Sequence, residues 1–357
     1  MYINNQLYVD DIDRLIALDL PWSSLDGKHI LITGATGMIG TTLIDVLMRK
    51  IRADHLNAKI TAVGRKRTAA EARLGDYFDD EHFEFESMDV NAIDVEGMSE
   101  RLKVDHIIHA ASNTHPVQYA TDPVGSIMSN ILGTYNLLEY GRRVGIERFV
   151  FVSSVEIYGQ ARGDDVFDEK YCGYIDCNTM RAGYPEGKRA GEALCNAYMG
   201  KYKMNVVIPR LSRCYGPTMR LDDSKAMSQF LMNGVKREDI VLKSEGLPQF
   251  SYCYSSDAAG GLLYCWLKGE SGEAYNVSDS SEIMSLRQIA EYIAEISDRK
   301  VVFQLPDSIQ AAGFSKVVKG VMVNGKLRSL GWEPHDDTRS GIAKTIEILR
   351  SLVAPQQ

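Results

Sequence analysis

A loop with three glycines near residue 34 constrains the fold of this chain more than any other feature. Residues 30–32 form a short apolar run, and Thr33-Gly34-Ala35-Thr36-Gly37-Met38-Ile39-Gly40 follows it directly. A glycine loop between a buried strand and a helix lets backbone amides approach a diphosphate, and the helix N-terminus adds partial positive charge. An ordinary strand–helix turn is the alternative, but placement after the first apolar strand favours a dinucleotide site. The predicted dinucleotide contacts in this loop are Gly34, Thr36, Gly37, Met38, Ile39 and Gly40.

Apolar strand-like runs alternate with helical patterns through the first half of the chain. The strand-like runs are residues 29–33, 59–63, 83–90, 106–110 and 148–153, and the helical patterns include residues 41–49 and 123–144. A parallel strand must be followed by a crossover, and a helix is the usual crossover. The alternation therefore predicts an α/β fold with a Rossmann-type, doubly wound parallel sheet.

The chain divides into three predicted regions. Residues 1–27 form a polar lead-in with one short amphipathic helix over residues 9–18, which precedes the main fold. Residues 28–205, with part of the later chain, form the dinucleotide-binding domain. Residues 206–357 form mostly a smaller C-terminal α/β region that binds the substrate, since the pattern there is less regular and richer in loops.

Charge and cysteine usage exclude several classes of protein. The 357 residues carry a formal net charge of −8, whereas nucleic-acid and bilayer binders need a basic surface. The apolar stretches are too short for a membrane span, and no secretory signal is evident. Six scattered cysteines lack the close pairing of a zinc site, so we expect reduced thiols, no metal and a cytoplasmic location.

A tyrosine and a lysine four residues apart are the candidate catalytic pair. Tyr184-Pro185-Glu186-Gly187-Lys188 presents phenol and ammonium on one face if a helix begins there. A tyrosine that acts as a base near neutral pH needs its pKa lowered by about 2 units. A lysine and an oxidised nicotinamide, both cationic, supply such a shift in a partly desolvated cleft. The fifth strand ends in Ser153-Ser154, which completes a serine, tyrosine and lysine order along the chain.

Both the glycine spacing and this order resemble the extended short-chain dehydrogenase/reductase superfamily. The resemblance implies that Tyr184 removes a proton from a sugar hydroxyl, while Ser154 hydrogen-bonds the same oxygen and Lys188 supports the phenolate. It also implies that cofactor contacts follow the third and fourth strands. Those contacts are Asp89, Val90, Ala110, Ala111, Ser112 and Asn130, in addition to Tyr184 and Lys188. For Asp89, a turn-initiating role is an equal alternative.

The end of the second strand bears on the choice between NAD and NADP. NAD-binding folds usually place a carboxylate there for the adenosine ribose. This chain has Gly64-Arg65-Lys66-Arg67 instead, which permits a 2′-phosphate at Arg65 and hence NADP, although a solvated basic turn looks the same. We expect a tightly bound, recycled NAD, with NADP possible.

Further motifs narrow the resemblance to nucleotide-sugar epimerases, dehydratases and decarboxylases. Those motifs are Asp122-Pro123, Asn130, Gly133-Thr134-x-Asn136-Leu137-Leu138 and Tyr215-Gly216-Pro217, and the likeness runs over residues 28–348. The segment around the tyrosine, from Tyr171-Cys172-Gly173 to Arg181 and Arg189, is most similar to UDP-glucuronate decarboxylases, also called UDP-xylose synthases. The resemblance implies a catalytic and substrate-binding Glu156 and substrate contacts at Ser112 and Arg181. A surface glutamate is the alternative for Glu156.

Three positions depart from these relatives. Val155 stands where thymidine-sugar dehydratases have their general acid, an aspartate. No arginine lies between Leu247 and Asp257, where the decarboxylases carry one. The usual Arg-x-x-Asn motif reads Arg210-Leu211-Ser212-Arg213, so we expect Arg210 and Arg213 to bind substrate. A guanidinium is well shaped for a diphosphate, and a surface charge is the alternative for Arg213.

The sequence therefore predicts an NAD(P)-dependent nucleotide-sugar epimerase/dehydratase that acts through a 4-keto sugar and returns the hydride. A UDP-glucuronate decarboxylase-like enzyme is the alternative, and a non-catalytic dinucleotide sensor is a second one. The expected partner is a nucleotide-diphosphate sugar, with the base left open, and neither nucleic acid nor membrane is expected. The resemblance implies a homodimer through the helices around residues 127–142 and 184–199, which apolar residues such as Ile131, Leu137 and Leu138 permit.

Overall fold

A central parallel sheet organises the computed structural model, which describes residues 2–114, 119, 121–304, 306 and 317–353. Its strands lie in the order β12-β7-β5-β4-β1-β2-β3, and β6 also pairs with β7. All of the recorded pairings in this sheet are parallel. The strands are β1 (His29–Thr33), β2 (Lys59–Gly64), β3 (Phe83–Ser87), β4 (His106–His109), β5 (Arg148–Phe151), β6 (Ser153–Ser154), β7 (Val206–Leu211) and β12 (Ala274–Val277).

Short sheets form the rest of the β-structure and lie mostly in the C-terminal part of the chain. They are β13-β10-β15, β11-β8 and β14-β9. Their strands are β8 (Arg213–Tyr215), β9 (Ile240–Leu242), β10 (Gln249–Phe250), β11 (Tyr252–Tyr254), β13 (Met284–Ser285), β14 (Val301–Phe303) and β15 (Lys319–Gly320). They surround a second hydrophobic core that includes Phe230, Leu231 and Ile293.

Helices flank the sheets and cover their apolar faces. They are α1 (Gln6–Ile16), α2 (Met38–Asp54), α3 (Arg67–Leu74), α4 (Val95–Arg101), α5 (Pro123–Val144), α6 (Gly183–Tyr202), α7 (Ala226–Lys236), α8 (Ser255–Lys268), α9 (Leu286–Ser297), α10 (Gly325–Arg328) and α11 (Thr338–Val353). None of these helices is both long and apolar enough to cross a membrane, within the part of the chain that the structure describes.

The predicted fold class is confirmed, and the structure corrects some boundaries. Helix α2 begins at Met38 instead of near Thr41, because Gly37 takes the extended N-cap conformation and the chain is helical from the next residue. Helix α1 spans Gln6–Ile16 instead of residues 9–18, because the Asn5 side chain accepts a hydrogen bond from the Tyr8 amide and caps the helix early.

The N-terminal segment is also more than a lead-in to the fold. Tyr8, Ile12 and Leu15 are buried and belong to the same hydrophobic core as the central strands. The predicted division near residue 205 stays a prediction. The later chain that returns to the central sheet consists of β7 and β12.

Candidate active site

The glycine loop lies where the order of the sheet reverses, between β1 and its neighbours β4 and β2. Gly34 adopts a positive φ of 72°, and a Cβ there would lie 2.6 Å from the Ala110 carbonyl carbon. A Cβ on Gly40 would lie 2.3 Å from the Gly34 carbonyl oxygen. Only glycine fits these two positions, so backbone amides line the crevice at the carboxyl ends of the strands, the usual place for a dinucleotide.

One cavity of about 920 Å³ contains almost every residue expected to have a functional role. It extends from the glycine loop, past the ends of the central strands, to the short sheets of the C-terminal part. The expected residues that line it are Gly34, Thr36, Gly37, Met38, Ile39, Gly40, Arg65, Asp89, Val90, Ala110, Ala111, Ser112, Ser154, Glu156, Arg181, Tyr184, Lys188 and Arg213.

Two expected ligands lie elsewhere. The guanidinium of Arg210 is bound by both carboxylate oxygens of Glu192, at 2.6 and 3.0 Å, and by the Glu169 carbonyl and the Tyr158 hydroxyl. Asn130 is fully buried behind the cavity wall, where its amide oxygen accepts a hydrogen bond from the Ser112 hydroxyl at 2.9 Å. Arg210 therefore supports the fold, and Asn130 orients Ser112, so neither is retained as a direct ligand.

Asp89 lies in the cavity wall near β2 and β3, and the structure fits both of its expected roles, turn initiation and a position at the cofactor site. Its carboxylate accepts a hydrogen bond from the Asn91 amide at 3.0 Å and caps a short 3₁₀ turn, while the residue also lines the cavity. Arg65 is exposed at the end of β2, and its carbonyl accepts a hydrogen bond from the Ser87 hydroxyl. This end of the cavity thus offers one acidic and one basic side chain to a ribose.

Tyr184 and Lys188 begin helix α6 and are both buried, at 6% and 3% exposure. The Lys188 ammonium donates a hydrogen bond to the Val152 carbonyl at 2.8 Å and lies 4.8 Å above the centre of the Phe151 ring. Burial lowers the pKa of Lys188 to about 8, because desolvation disfavours its charged form. The helix therefore brings the predicted pair into the cavity.

The chain's own groups raise the pKa of Tyr184, whereas the expected downward shift also requires the cationic ring of an oxidised nicotinamide. Burial raises this pKa to about 12, and a hydrogen bond with Ser154 opposes the rise only in part. The physical reason is that a phenolate loses its hydration here, while the nearby lysine directs its hydrogen bond to a backbone carbonyl. The chain alone holds Tyr184 as a neutral phenol, so a base role requires further positive charge.

Glu156 connects Ser154 to two arginines. Its amide donates a hydrogen bond to the Ser154 hydroxyl oxygen at 3.3 Å. Its carboxylate accepts one from Arg181 at 3.0 Å and lies 3.9 Å from the nearest guanidinium nitrogen of Arg213. Glu156 is only 18% exposed in this ion pair, so the interpretation as a free surface glutamate does not describe it.

Sequence reasoning missed two residues at this site. Tyr119 is buried with its ring 5.1 Å from the Tyr184 ring, and the Arg181 guanidinium lies 4.6 Å from its centre. Lys225 lines the cavity just before α7 and forms an ion pair with Asp223 at 2.9 Å. No spacing signal marks either residue, because only the tertiary structure brings Tyr119 and Lys225 to the cavity.

The residues present fit a dinucleotide cofactor. The glycine loop leaves room that a Cβ would fill, and the N-terminus of α2 faces the cavity through Gly37, Met38 and Ile39. Among the described residues, no group of His, Cys, Asp and Glu side chains is arranged to hold a metal ion.

Comparison with known proteins agrees with this geometry. The model of the NAD dependent epimerase/dehydratase family matches residues 30–278. The chain belongs to this family. NAD is accordingly its cofactor, and the resemblance recognised from the glycine loop and the tyrosine–lysine pair is confirmed. The protein is thus an NAD-dependent enzyme of the epimerase/dehydratase family.

Curated relatives of the enzyme are similar over most of its length. It is 29% identical over 330 residues to UDP-glucuronic acid decarboxylase 1 of Xenopus tropicalis, covering 92% of this chain and 73% of the relative. It is 29% identical over 320 residues to UDP-glucuronic acid decarboxylase 6 of Arabidopsis thaliana, covering 88% of this chain and 86% of the relative.

Solved structures of the same fold include epimerases and dehydratases. The dTDP-glucose 4,6-dehydratase of Streptomyces venezuelae, with NAD bound, matches with a TM-score of 0.78 at 22% identity, over 90% of this chain and 97% of that one. The UDP-glucuronic acid 4-epimerase of Bacillus cereus, in complex with UDP-glucuronic acid and NAD, matches with a TM-score of 0.77 at 20% identity, over 91% and 99%. These likenesses confirm the fold of the family member described here.

Proposed function

We propose that the enzyme binds a nucleotide-diphosphate sugar and converts it, through a 4-keto sugar, by epimerase or dehydratase chemistry. The observation that supports this most is that Ser154, Tyr184 and Lys188 line the same cavity as the glycine loop. Proton-transfer groups and the dinucleotide cradle must face one substrate atom for such a reaction. Their placement in one cavity supports the proposal.

The chain's own groups provide the proton path. The ionised form of Tyr184, its phenolate, accepts the proton of the sugar hydroxyl and becomes a phenol, and Ser154 donates a hydrogen bond to the sugar oxygen. Buried Lys188, on the same helix and lining the same cavity, adds positive charge to the site, and positive charge favours the ionised form of Tyr184. Bound NAD supplies the hydride acceptor, the hydride donor for the return step and a cationic ring. Because the pKa of Tyr184 is about 12 in the chain alone, we propose that catalysis depends on this added positive charge.

The C-terminal region is the proposed holder of the nucleotide and sugar. Arg213, Lys225 and the segment around Pro248 line the cavity opposite the glycine loop. A diphosphate needs cationic donors, and Lys225 supplies one of them. The base that the site prefers is left to experiment.

Epimerisation requires the fewest additional groups among the chemistries of the family. A 4-keto sugar that turns over in the site accepts the hydride on its other face and needs no additional acid. Dehydration needs a general acid, and Val155 stands at the position where such enzymes place an aspartate. We therefore favour epimerisation within the class.

Decarboxylation of a uronic acid is the second candidate. The relatives named as UDP-glucuronic acid decarboxylases match 88–93% of this chain, which favours this alternative. A 4-ketone activates loss of the neighbouring carboxylate without another metal or cofactor. A non-catalytic sensor is the remaining candidate, and retention of Ser154, Tyr184 and Lys188 argues against it.

Three further properties belong to the proposal. Exposed Arg65, at the ribose end of the cavity, favours some binding of NADP beside NAD. The exposed apolar residues Val124, Met128 and Tyr135 of α5 support a homodimer. A cytoplasmic location agrees with the six unpaired cysteines.

The experiment is incubation of the purified protein with UDP-, dTDP-, CDP- and GDP-sugars, with and without added NAD or NADP. Mass spectrometry and proton NMR then identify the products. A new anomeric signal at unchanged mass establishes an epimerase, loss of water a dehydratase, and loss of carbon dioxide a decarboxylase. Tyr184→Phe is the matched control, because it removes one hydroxyl and should lower turnover by about 10²–10⁴-fold. Cofactor binding without any product in the full panel would contradict the proposal and favour the sensor.

A further inference from the structure

Arg213 brings a guanidinium to the part of the cavity wall formed by the segment from Leu247 to Asp257. Related decarboxylases carry an arginine in that segment itself, whereas Arg213 lies on β8. This strand pairs with β11 so that Arg213 is opposite Tyr252. Its guanidinium lies 3.5 Å from the centre of the Phe250 ring, in the segment from Leu247 to Asp257 that has no arginine of its own. The stacked ring orients the planar cation. Positive charge is therefore retained at this wall, but it comes from a different position in the sequence.

Two guanidinium groups share a single carboxylate here. Glu156 lies 3.0 Å from Arg181 and 3.9 Å from Arg213, and the three side chains are 18%, 16% and 31% exposed. Among the described residues, the Nε and Nη1 atoms of Arg181 and the Nε atom of Arg213 are buried without a hydrogen-bond partner. The cluster thus has a net charge of +1 and unused donors, an arrangement that favours a further anion.

The cluster lies beside the reacting group. Glu156 and Arg181 both act electrostatically on the phenol of Tyr184, and the Glu156 amide binds the Ser154 hydroxyl. An anion bound by these arginines would therefore lie next to the sugar ring whose hydroxyl meets Tyr184. This position suits a substituent of the sugar better than the diphosphate, which has to reach from the ring towards the nucleotide.

We propose that Arg181 and Arg213 form a subsite for a carboxylate on the substrate's sugar, and that Glu156 occupies this subsite in the free protein. The inference rests on the proposed function and names its substrate class, a nucleotide-diphosphate uronic acid. The contact of 3.9 Å is longer than a hydrogen bond, so Arg213 is the arginine that exchanges Glu156 for the substrate. Arg213 is then the specificity-determining residue.

The test measures binding without turnover, in the NAD-loaded full chain carrying Tyr184→Phe. Calorimetry with UDP, dTDP, CDP and GDP first selects the base, and the matching uronic acid and hexose derivatives, for example UDP-glucuronic acid and UDP-glucose, are then compared. We expect Arg213→Met to weaken binding of the uronic acid derivative at least tenfold and that of the hexose derivative less than twofold. Arg213→Lys keeps the charge but loses the planar fork, so it should give an intermediate loss.

A second variant keeps the proposal testable if Arg213→Met does not fold. Glu156→Gln removes the internal anion and should strengthen binding of the uronic acid derivative several-fold, with the hexose derivative unchanged. An equal change for both sugars, or for the nucleoside diphosphate itself, would assign Arg213 to the diphosphate and overturn the proposal. Failure of every nucleoside diphosphate and nucleotide-sugar to bind would overturn the proposed function itself, and this inference with it.

Discussion

Lys188 donates its hydrogen bond to the carbonyl of Val152, at 2.8 Å, from a position 3% exposed to solvent. A buried ammonium of this kind costs stability, because its pKa falls from 10.5 to about 8 on burial. Lys188 is thus kept in a buried position that disfavours its charged form. The cost is understandable if its charge serves the neighbouring phenol.

Lys188→Met should remove a specific pH dependence of stability. Between about pH 8 and 10.5 the unfolded lysine keeps its proton and the folded one does not, so stability rises with pH in this window. Relative to the variant, the parent should gain about 2–3 kcal/mol of unfolding free energy across that window. Urea denaturation at both ends of the window measures the difference. Lys201→Met, at an exposed position on the same helix, is the control. If the parent gains the same stability relative to both variants, the pH dependence does not come from Lys188.

Gly37→Ala should weaken NAD binding while preserving the fold. Gly37 has φ of −80°, which alanine adopts easily, and a Cβ would lie 3.1 Å from the Gly34 carbonyl oxygen, at the edge of the cavity. We expect NAD affinity to fall at least tenfold, about 1.4 kcal/mol, with a small change in melting temperature. Calorimetry and thermal unfolding measure the two effects.

Gly34→Ala provides the contrast to this variant. A positive φ and a backbone clash at 2.6 Å should destabilise the whole fold of Gly34→Ala. We therefore expect a lower melting temperature for Gly34→Ala than for Gly37→Ala. Equal melting temperatures would contradict the view that Gly34 is required by the fold and Gly37 by the cofactor.

Asp45→Asn should be tolerated, or should stabilise the protein, at neutral pH. Asp45 is buried and accepts hydrogen bonds from Tyr8 at 2.6 Å and Tyr77 at 2.8 Å, yet desolvation raises its pKa to about 6. Because the folded pKa exceeds the unfolded value of 3.8, the folded state binds more protons and stability falls as pH rises through this window. The parent should lose about 2–3 kcal/mol there relative to the variant.

Denaturation of parent and variant at pH 4 and pH 7 tests this expectation. Asp54→Asn is the matched control, since Asp54 is the last residue of the same helix, α2, and its side chain is 41% exposed. A variant of Asp45 that loses several kcal/mol at pH 7 but not at pH 4 would contradict this expectation and would mean that the carboxylate charge itself stabilises the contact with the N-terminal helix.

The sequence predicted the features that depend on local pattern. The glycine loop was recognisable because its glycines follow an apolar strand and open a helix in one continuous stretch of sequence; the contact that requires glycine at Gly40 is local, whereas the one at Gly34 is with Ala110 after β4. Strands such as β1 and β2 were recognisable because both are continuous buried apolar runs. Tyr184 and Lys188 were recognisable because their helical spacing alone places them on one face.

Features that depend on contacts between distant residues were not predictable. Arg210 has the same residue type as Arg213 three positions later, but only the fold shows that Glu192 neutralises one and Phe250 supports the other. The direction of the Tyr184 pKa shift likewise depends on burial and on where the lysine directs its hydrogen bond. A single sequence does not contain this information in a local pattern.

The structure changes which residues of α5 are expected at the contact of the proposed homodimer. Leu137 and Leu138 are fully buried in the protomer's own core and are unable to contact a partner, so the expectation that they permit dimer contacts was wrong. Val124, Met128 and Tyr135 are instead 70%, 39% and 45% exposed, at spacings of four and seven residues that place them on one face of α5.

Val124→Glu combined with Tyr135→Glu should therefore convert a dimer to a monomer, because two charges in each protomer would be buried at a symmetric apolar contact. Size-exclusion chromatography with light scattering measures the mass, and Phe303→Glu is the control, since Phe303 is 63% exposed on β14. A parent that is monomeric would exclude the homodimer. A dimer that survives the double substitution while the control behaves identically would show that another surface joins the protomers.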